Sequence, residues 1–325
     1  MSERATAGIK VDFDVPTLRM RYRDGVTVNR FGFPDWIPYA RCAVSLPMIP
    51  PGRGSDEARV VDVVTANAAG ARFDPLWAGL GSAATPAGWT WAHLEMSRTL
   101  VLVPIELYQG IRHRGGIATS DSNFSRRGLG DCPGVAPDRS FDSRLNEEGM
   151  TTIEANLGVL PAAYRTFLLE TNGAGPATPA VHPACGFVLD QPLFGFDRAD
   201  RMQDLGFTFS AFADRLTADL LPIGYVHGGL LALRTGGSES GSVWWYDDDD
   251  VRSTAEDTAQ IIADRLLRRC ADTFDEFWGA LRPVPARIVE EASAAVEAGE
   301  ARAVALPRIG TALAANRRAP VPAAR

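Results

Sequence analysis

Between Ser120 and Arg144 the chain reads SDSNFSRRGLGDCPGVAPDRSFDSR. Gly, Pro, Ser and Asp crowd this stretch, and neither a two-residue nor a 3.6-residue apolar period runs through it. It reads as an interruption between two packed units, and the 325 residues leave each side long enough to bury a core of its own. We therefore read residues 1–119 as one domain, 120–144 as a linker, 145–285 as a second domain, and 286–325 as an Ala/Glu-rich helix with a disordered tail.

Charge divides along the same lines. Residues 1–139 carry 16 basic and 14 acidic side chains, residues 140–285 carry 11 and 22, and residues 286–325 carry 6 and 4. The acidic middle segment repels phosphate, so nucleic acid is a poor partner for it and a basic protein a good one. An apolar share of 46% with 22% charged residues is a globular composition. No stretch is apolar for the ~20 residues that span a bilayer, and the opening MSERATAGIKVDFDVP lacks the apolar core of a secretory signal. A cytoplasmic protein with no membrane contact is expected. Cys42, Cys132, Cys185 and Cys270 are scattered, with no CxxC pair and no zinc-cage spacing, and read as reduced, mostly buried thiols.

In the acidic segment, IEANLGVLPAAYRTFLLETNG predicts a helix, a break at Leu160-Pro161, and a second helix with Pro161 at its first turn. Tyr164, Phe167 and Leu168 then share one face, and Gly173 marks the stop. LLALR and SVWWYD read as strands joined by the Gly-rich turn TGGSESG. TFDEFWGAL has capping-box spacing from Thr273 to Glu276 and puts Phe274, Phe277, Trp278 and Leu281 on one face. The layout is α+β.

These landmarks resemble the SUKH superfamily of Smi/Knr-like domains over about residues 145–282. Leu160, Pro161, Tyr164, Phe167, Leu168, Asn172, Gly173, Leu221, Pro222, Ile223, Phe274 and Phe277 carry the resemblance, and His227-Gly228-Gly229 departs from the usual Gly-Asn turn. It implies a mixed sheet with helices, acting as a binding module of the kind that serves as an immunity protein against nuclease toxins.

The first segment contains GWTWAHLEMSRTLVLVPIELYQGIRHRGG, Gly88 to Gly116. TLVLVP predicts a strand and PIELYQGIRH a helix with Pro104 near its first turn. The stretch resembles the WHH family of HNH/endonuclease VII-type toxin nucleases, over about residues 27–118, and so implies a ββα-metal fold. Trp91 matches the family Trp. The resemblance implies His93 as general base and His113 as metal ligand. Ala92 and Tyr108 stand where the family has ligand-type His, and neither a methyl nor a neutral phenol holds a divalent cation at neutral pH. Glu95 is open as a substitute ligand or a surface acid. The alternative for His93 and His113 is an ordinary hydrogen bond to backbone, and Trp89 and Trp91 read as core anchors.

VWWYDDDD, Val243 to Asp250, leaves two readings open. Trp244, Trp245, Asp247, Asp248, Asp249 and Asp250 form a partner-binding patch for a basic toxin, or the Trp pair is half-buried and the Asp run is a solvated turn. The sequence thus points to a degenerate ββα-metal domain ahead of a SUKH-like domain, in a non-catalytic binding protein of a bacterial toxin-immunity or defence system. Its expected partner is a basic nuclease toxin. No cofactor is expected, a divalent metal entering only if the nuclease site works. The alternative is an HNH-type endonuclease fused to its own inhibitory immunity domain.

Overall fold

The computed structural model describes residues 8–117, 126–140, 145–250, 252–254 and 256–306. At the front, β1 (Ile9–Val11) pairs antiparallel with β2 (Val26–Val28) across α1 (Pro16–Arg21). Next come β3 (Cys42–Ser45), the long helix α2 (Ser55–Phe73), β4 (Trp89–His93), β5 (Thr99–Pro104) and the short α3 (Ile105–Gln109). Both faces of the sheet are covered, which is why its strands read as continuous apolar runs. Trp89, Trp91, Leu100 and Leu102 join the α2 valines on one side; Ala92, Val101 and Val103 pack with Trp36 and Tyr108 on the other. The predicted strand TLVLVP is β5. The helix expected to run to His113 stops at Gln109, where Gly110, a weak helix former, follows; a side chain there has no room, since a Cβ would lie 2.6 Å and 3.1 Å from the side chains of Leu18 and Phe13.

Asp56 and Glu57 in the first turn of α2 suit its positive end. The helix is buried nearly all round, and Gly70 is needed because a Cβ would lie 2.7 Å from the Trp77 ring.

The acidic half runs α4 (Glu147–Leu157), α5 (Ala162–Thr171), β6 (Ala180–Val181), β7 (Val188–Leu189), α6 (Leu205–Ala211), β8 (Leu220–Val226) and β9 (Gly229–Arg234). It continues through β10 (Val243–Asp247), α7 (Ala259–Arg265), β11 (Arg268–Ala271), α8 (Phe274–Ala280) and β12 (Arg282–Pro283). Pro161 precedes α5, Asn172 (φ 48°) closes it in the left-handed conformation, and Gly173 (φ 84°) follows. Thr273 caps α8 by accepting from the Glu276 N–H at 3.1 Å. Among the described residues its sheets, ordered β11-β10-β9-β8 and β12-β6-β7, are antiparallel at every strand pairing, where a mixed sheet is expected. The fold is α+β.

The chain then returns to the front half. In α9 (Ala286–Glu297), Ile288, Ala292 and Ala295 are buried in contact with α2, and β13 (Arg302–Ala305) pairs antiparallel with β3, giving the order β13-β3-β5-β4. Arg53 grips Glu291 at 2.7 and 2.9 Å. Residues 286–306 therefore complete the front sheet rather than trail from it, and the acidic half is an insertion between α3 and α9. The expected disordered tail, 314–325, lies outside the described residues.

The predicted linker also differs where it is described, at 126–140. Leu129 and Cys132 are buried with the α2 cluster, the Trp278 indole donates to Pro137 O at 3.2 Å, and Arg139 lies over Phe167 and Trp278. Its apolar and cationic side chains find partners on both halves, making this part a strap. Among the described residues no helix is long and apolar enough to cross a membrane.

Candidate functional site

The residues of the nuclease-like motif separate across β4. Strand alternation places Ala92 and His93 on opposite faces. On the first face, Ala92 and Tyr108 share a core with Trp36, and the His113 ring packs edge-on against Trp36 (5.1 Å between centroids) and Tyr108 (4.4 Å). His113 Nδ1 lies 3.1 Å from Ile111 O, while its buried Nε2 has no partner among the described residues. Burial lowers the His113 pKa to about 4, so the ring is neutral at ordinary pH. On the second face, His93 Nε2 sits 3.0 Å from Asp62 Oδ2 on α2, and Arg98 clamps the same carboxylate at 2.8 and 2.5 Å. Burial works against the Asp62 charge, but His93 and Arg98 outweigh it and hold its pKa below the ordinary value. Glu95 accepts from Asn29 Nδ2 at 2.7 Å.

His113 thus makes the backbone contact that the sequence allowed, whereas His93 is committed to a carboxylate. Among the described residues no three His, Cys, Asp or Glu side chains are grouped to hold a metal ion. The arrangement does not fit a divalent cation: the face that should present imidazoles offers a methyl group, a buried phenol and one boxed-in ring.

The acidic run carries the most unexpected geometry. Asp247, Asp248, Asp249 and Asp250 are all buried, Trp245 is fully buried, and Trp244 is half-buried between Arg234 and Arg269. Both sequence readings placed the carboxylates in solvent; they are instead buried, Asp247 to Asp249 against the front half of the same chain and Asp250 paired with Arg252 of its own half. Arg59 on α2 reaches Asp247 Oδ1 and Asp249 Oδ2, each at 3.0 Å, with its guanidinium 5.0 Å from the Trp245 ring centroid. Arg126, on the strap, bonds Asp247 Oδ2 at 2.5 Å. Gln109, at the end of α3, donates to Asp248 Oδ2 at 3.1 Å, the Gly115 N–H to Asp248 O at 2.9 Å, and the Ile117 N–H to Asp249 Oδ1 at 3.3 Å.

Two glycines make this approach possible. A Cβ on Gly115 would lie 1.8 Å from Asp249 Oδ1, and one on Gly228 (φ 83°) would meet Arg59 Nε at 2.7 Å. Burial keeps Arg59 from being indifferent to its surroundings, yet the charges of Asp247, Asp249 and Asp56 prevail and raise its pKa. Asp248 goes the other way: burial, with Asp249 and Asp247 adding to it against Arg215 and Gln109, pushes its pKa up to about 7.

A second contact zone flanks the first. His227 Nε2 lies 3.0 Å from Thr85 Oγ1 and 3.1 Å from Asp190 Oδ2, and its Nδ1 lies 3.3 Å from Thr90 Oγ1 on β4. Gln191 accepts from the Gly88 N–H at 3.1 Å. At the start of α2, Asp56 takes the Gly128 N–H at 3.0 Å and Arg268 at 3.3 Å. Sequence reasoning did not single out Arg59, Asp56, Asp62, Gln109, Asp190 or His227 as functional. Two signals were present: charged residues inside the apolar helical run ARVVDVV, and the His227-Gly228-Gly229 turn that departs from the family pattern.

Residues 81–123 match WHH, a nuclease of the HNH/ENDO VII superfamily with conserved WHH. Residues 145–279 match the SMI1 / KNR4 family (SUKH-1). No curated protein matches the chain. The chain thus carries one segment similar to each family, and residues of both meet at the acidic seam, Gln109, Gly115 and Ile117 from the first and Asp248 and Asp249 from the second.

Proposed function

We propose that this protein is a non-catalytic binding protein of a bacterial toxin-immunity or defence system, in which the SUKH-type domain recognises nuclease toxins and the WHH-type segment is inactive. The observation that carries this reading is the burial of Asp247 to Asp249 against the front half, with Arg59 held between Asp247 and Asp249. A nuclease-derived body occupies the acidic face that would meet a basic toxin, so the inactive segment acts as a resident occupant of that face. Complementary charge of this kind selects the partner and fixes its orientation. Ala92 and Tyr108, standing where the WHH pattern has ligand-type His, support this reading, since neither side chain holds a divalent cation at neutral pH.

Incubating the full chain with plasmid DNA and tRNA, with magnesium, manganese, nickel or zinc, tests the reading. No cleavage is expected. Metal-dependent cleavage that disappears in His93→Ala would establish the alternative, an HNH-type endonuclease restrained by its fused domain. That alternative draws on the same seam, since Gln109, Gly115 and Ile117 are all held by the acidic half. Binding is tested separately by calorimetry with a catalytically disabled WHH nuclease domain. Arg59→Ala, which removes the guanidinium shared by Asp247 and Asp249 and so loosens the hold of the front half on them, should bind more tightly than the unaltered chain; equal, absent or weaker binding by the variant counts against toxin capture at this face.

A further inference from the structure

Cys185 and Cys270, separated by 85 positions, are brought together with their sulfurs 3.5 Å apart. Cys185 ends the tight turn from His182 that links β6 to β7, and Cys270 lies on the edge strand β11. We propose that these two residues are an oxidisable dithiol, a modification site at which peroxide forms a disulfide that staples the β6–β7 turn to β11. An S–S bond of ~2.05 Å requires the sulfurs to approach by roughly 1.5 Å.

The surroundings assign the two thiols different roles. Cys185 is held below the ordinary thiol range by its hydrogen bond with Cys270, against the effect of burial, with His182 and Arg268 assisting. Burial and the same neighbour push Cys270 up. Cys185 is thus the attacking thiolate and Cys270, the more exposed of the two, the resolving thiol. Elsewhere, burial pushes Cys42 up to about 12 and raises Cys132, so both remain protonated and unreactive.

The chemistry balances. The Cys185 thiolate attacks one peroxide oxygen, the O–O bond breaks, and hydroxide leaves and takes up a proton, giving Cys185 sulfenic acid and water. The Cys270 sulfur then attacks the Cys185 sulfur; the S–O bond breaks, and the Cys270 proton departs with the hydroxyl as a second water. The thiols lose two electrons and hydrogen peroxide gains them.

The site adjoins the seam. Arg268 donates to Cys185 O at 3.1 Å and to Asp56 Oδ1 at 3.3 Å, and a Cβ on Gly186 would lie 2.2 Å from that of Asp56. Oxidation therefore locks the part of the acidic half that abuts the start of α2.

The test treats the reduced full chain with equimolar hydrogen peroxide and maps its peptides without reduction. A Cys185–Cys270 cross-linked peptide, a fall from four titratable thiols to two, and reversal by dithiothreitol are expected. The oxidised protein should melt higher by about 5 °C, the loop closed being long. In Cys270→Ser, dimedone should trap a sulfenic acid on Cys185. Four thiols persisting after treatment, a cross-link at another pair, or irreversible acids at Cys185 and Cys270 without a link would overturn the proposal, and this mapping stands even if the variant fails to fold.

Discussion

Arg59 and Asp247 meet at 3.0 Å across the seam between the two halves, both side chains removed from solvent. A cation buried in this way is tolerated only while its carboxylates are in place. Arg59→Ala leaves Asp247 and Asp249 without their shared guanidinium, and a loss of about 3–5 kcal/mol in unfolding free energy is expected. Urea unfolding measures it. In a double-mutant cycle with Asp247→Asn the losses should be strongly non-additive, whereas additive losses would show that the pair is not coupled.

Gly115 tests the fit of the seam without altering charge. Asp249 cannot swing away from a new methyl group at 1.8 Å, because its oxygens are taken by Arg59 and the Ile117 N–H. Gly115→Ala should cost about 1–3 kcal/mol. Gly81, with open space around it, is the control, and Gly81→Ala should change the urea midpoint little. Equal midpoints for the two variants would contradict the contact.

Asp248 should make the seam sensitive to pH. In the unfolded chain its carboxyl titrates near ~4, and in the folded chain at about 7. Between these values the folded state holds a proton that the unfolded state has released, so the contribution is present in acid and lost as pH rises through 7. Asp248→Asn, neutral throughout, should already lead the natural chain by about 1 kcal/mol at pH 5 and by about 4 kcal/mol at pH 8, roughly 1.4 kcal/mol being lost for each pH unit between the two titrations. A difference that stays constant across this range would show that Asp248 is charged in the folded state throughout.

Ligand replacement probes the relic motif. Ala92 and Tyr108 lie in one core with Trp36, the ring against which His113 packs, so Ala92→His with Tyr108→His gathers imidazoles on a single face. Calorimetry should show at least a tenfold gain in zinc or nickel affinity over the unaltered chain. The metal-free variant should be less stable, since the added rings overfill a packed core. No gain in affinity would mean that these positions do not correspond to the family's ligands.

Local structure was legible in the sequence where local chemistry decides it. The strand at Thr99 to Pro104, the Thr273 cap and the stop after Thr171 depend on residues within a few positions of one another. The substitutions at Ala92 and Tyr108 were visible as well, because a missing imidazole is a property of the residue itself. The direction in which His93 points was not, since its partner Asp62 lies 31 positions away on another element.

The sequence by itself determined two families of pattern, an acidic body behind a near-neutral one, and a metal motif lacking ligand side chains. Only the tertiary structure decided that β13 closes the front sheet and that four consecutive aspartates face inward. The physical reason is that whether a charge is hydrated or buried depends on what is packed against it. Arg59, Arg126, Gln109 and Gly115 reach Asp247 to Asp249 only after the two halves have folded together.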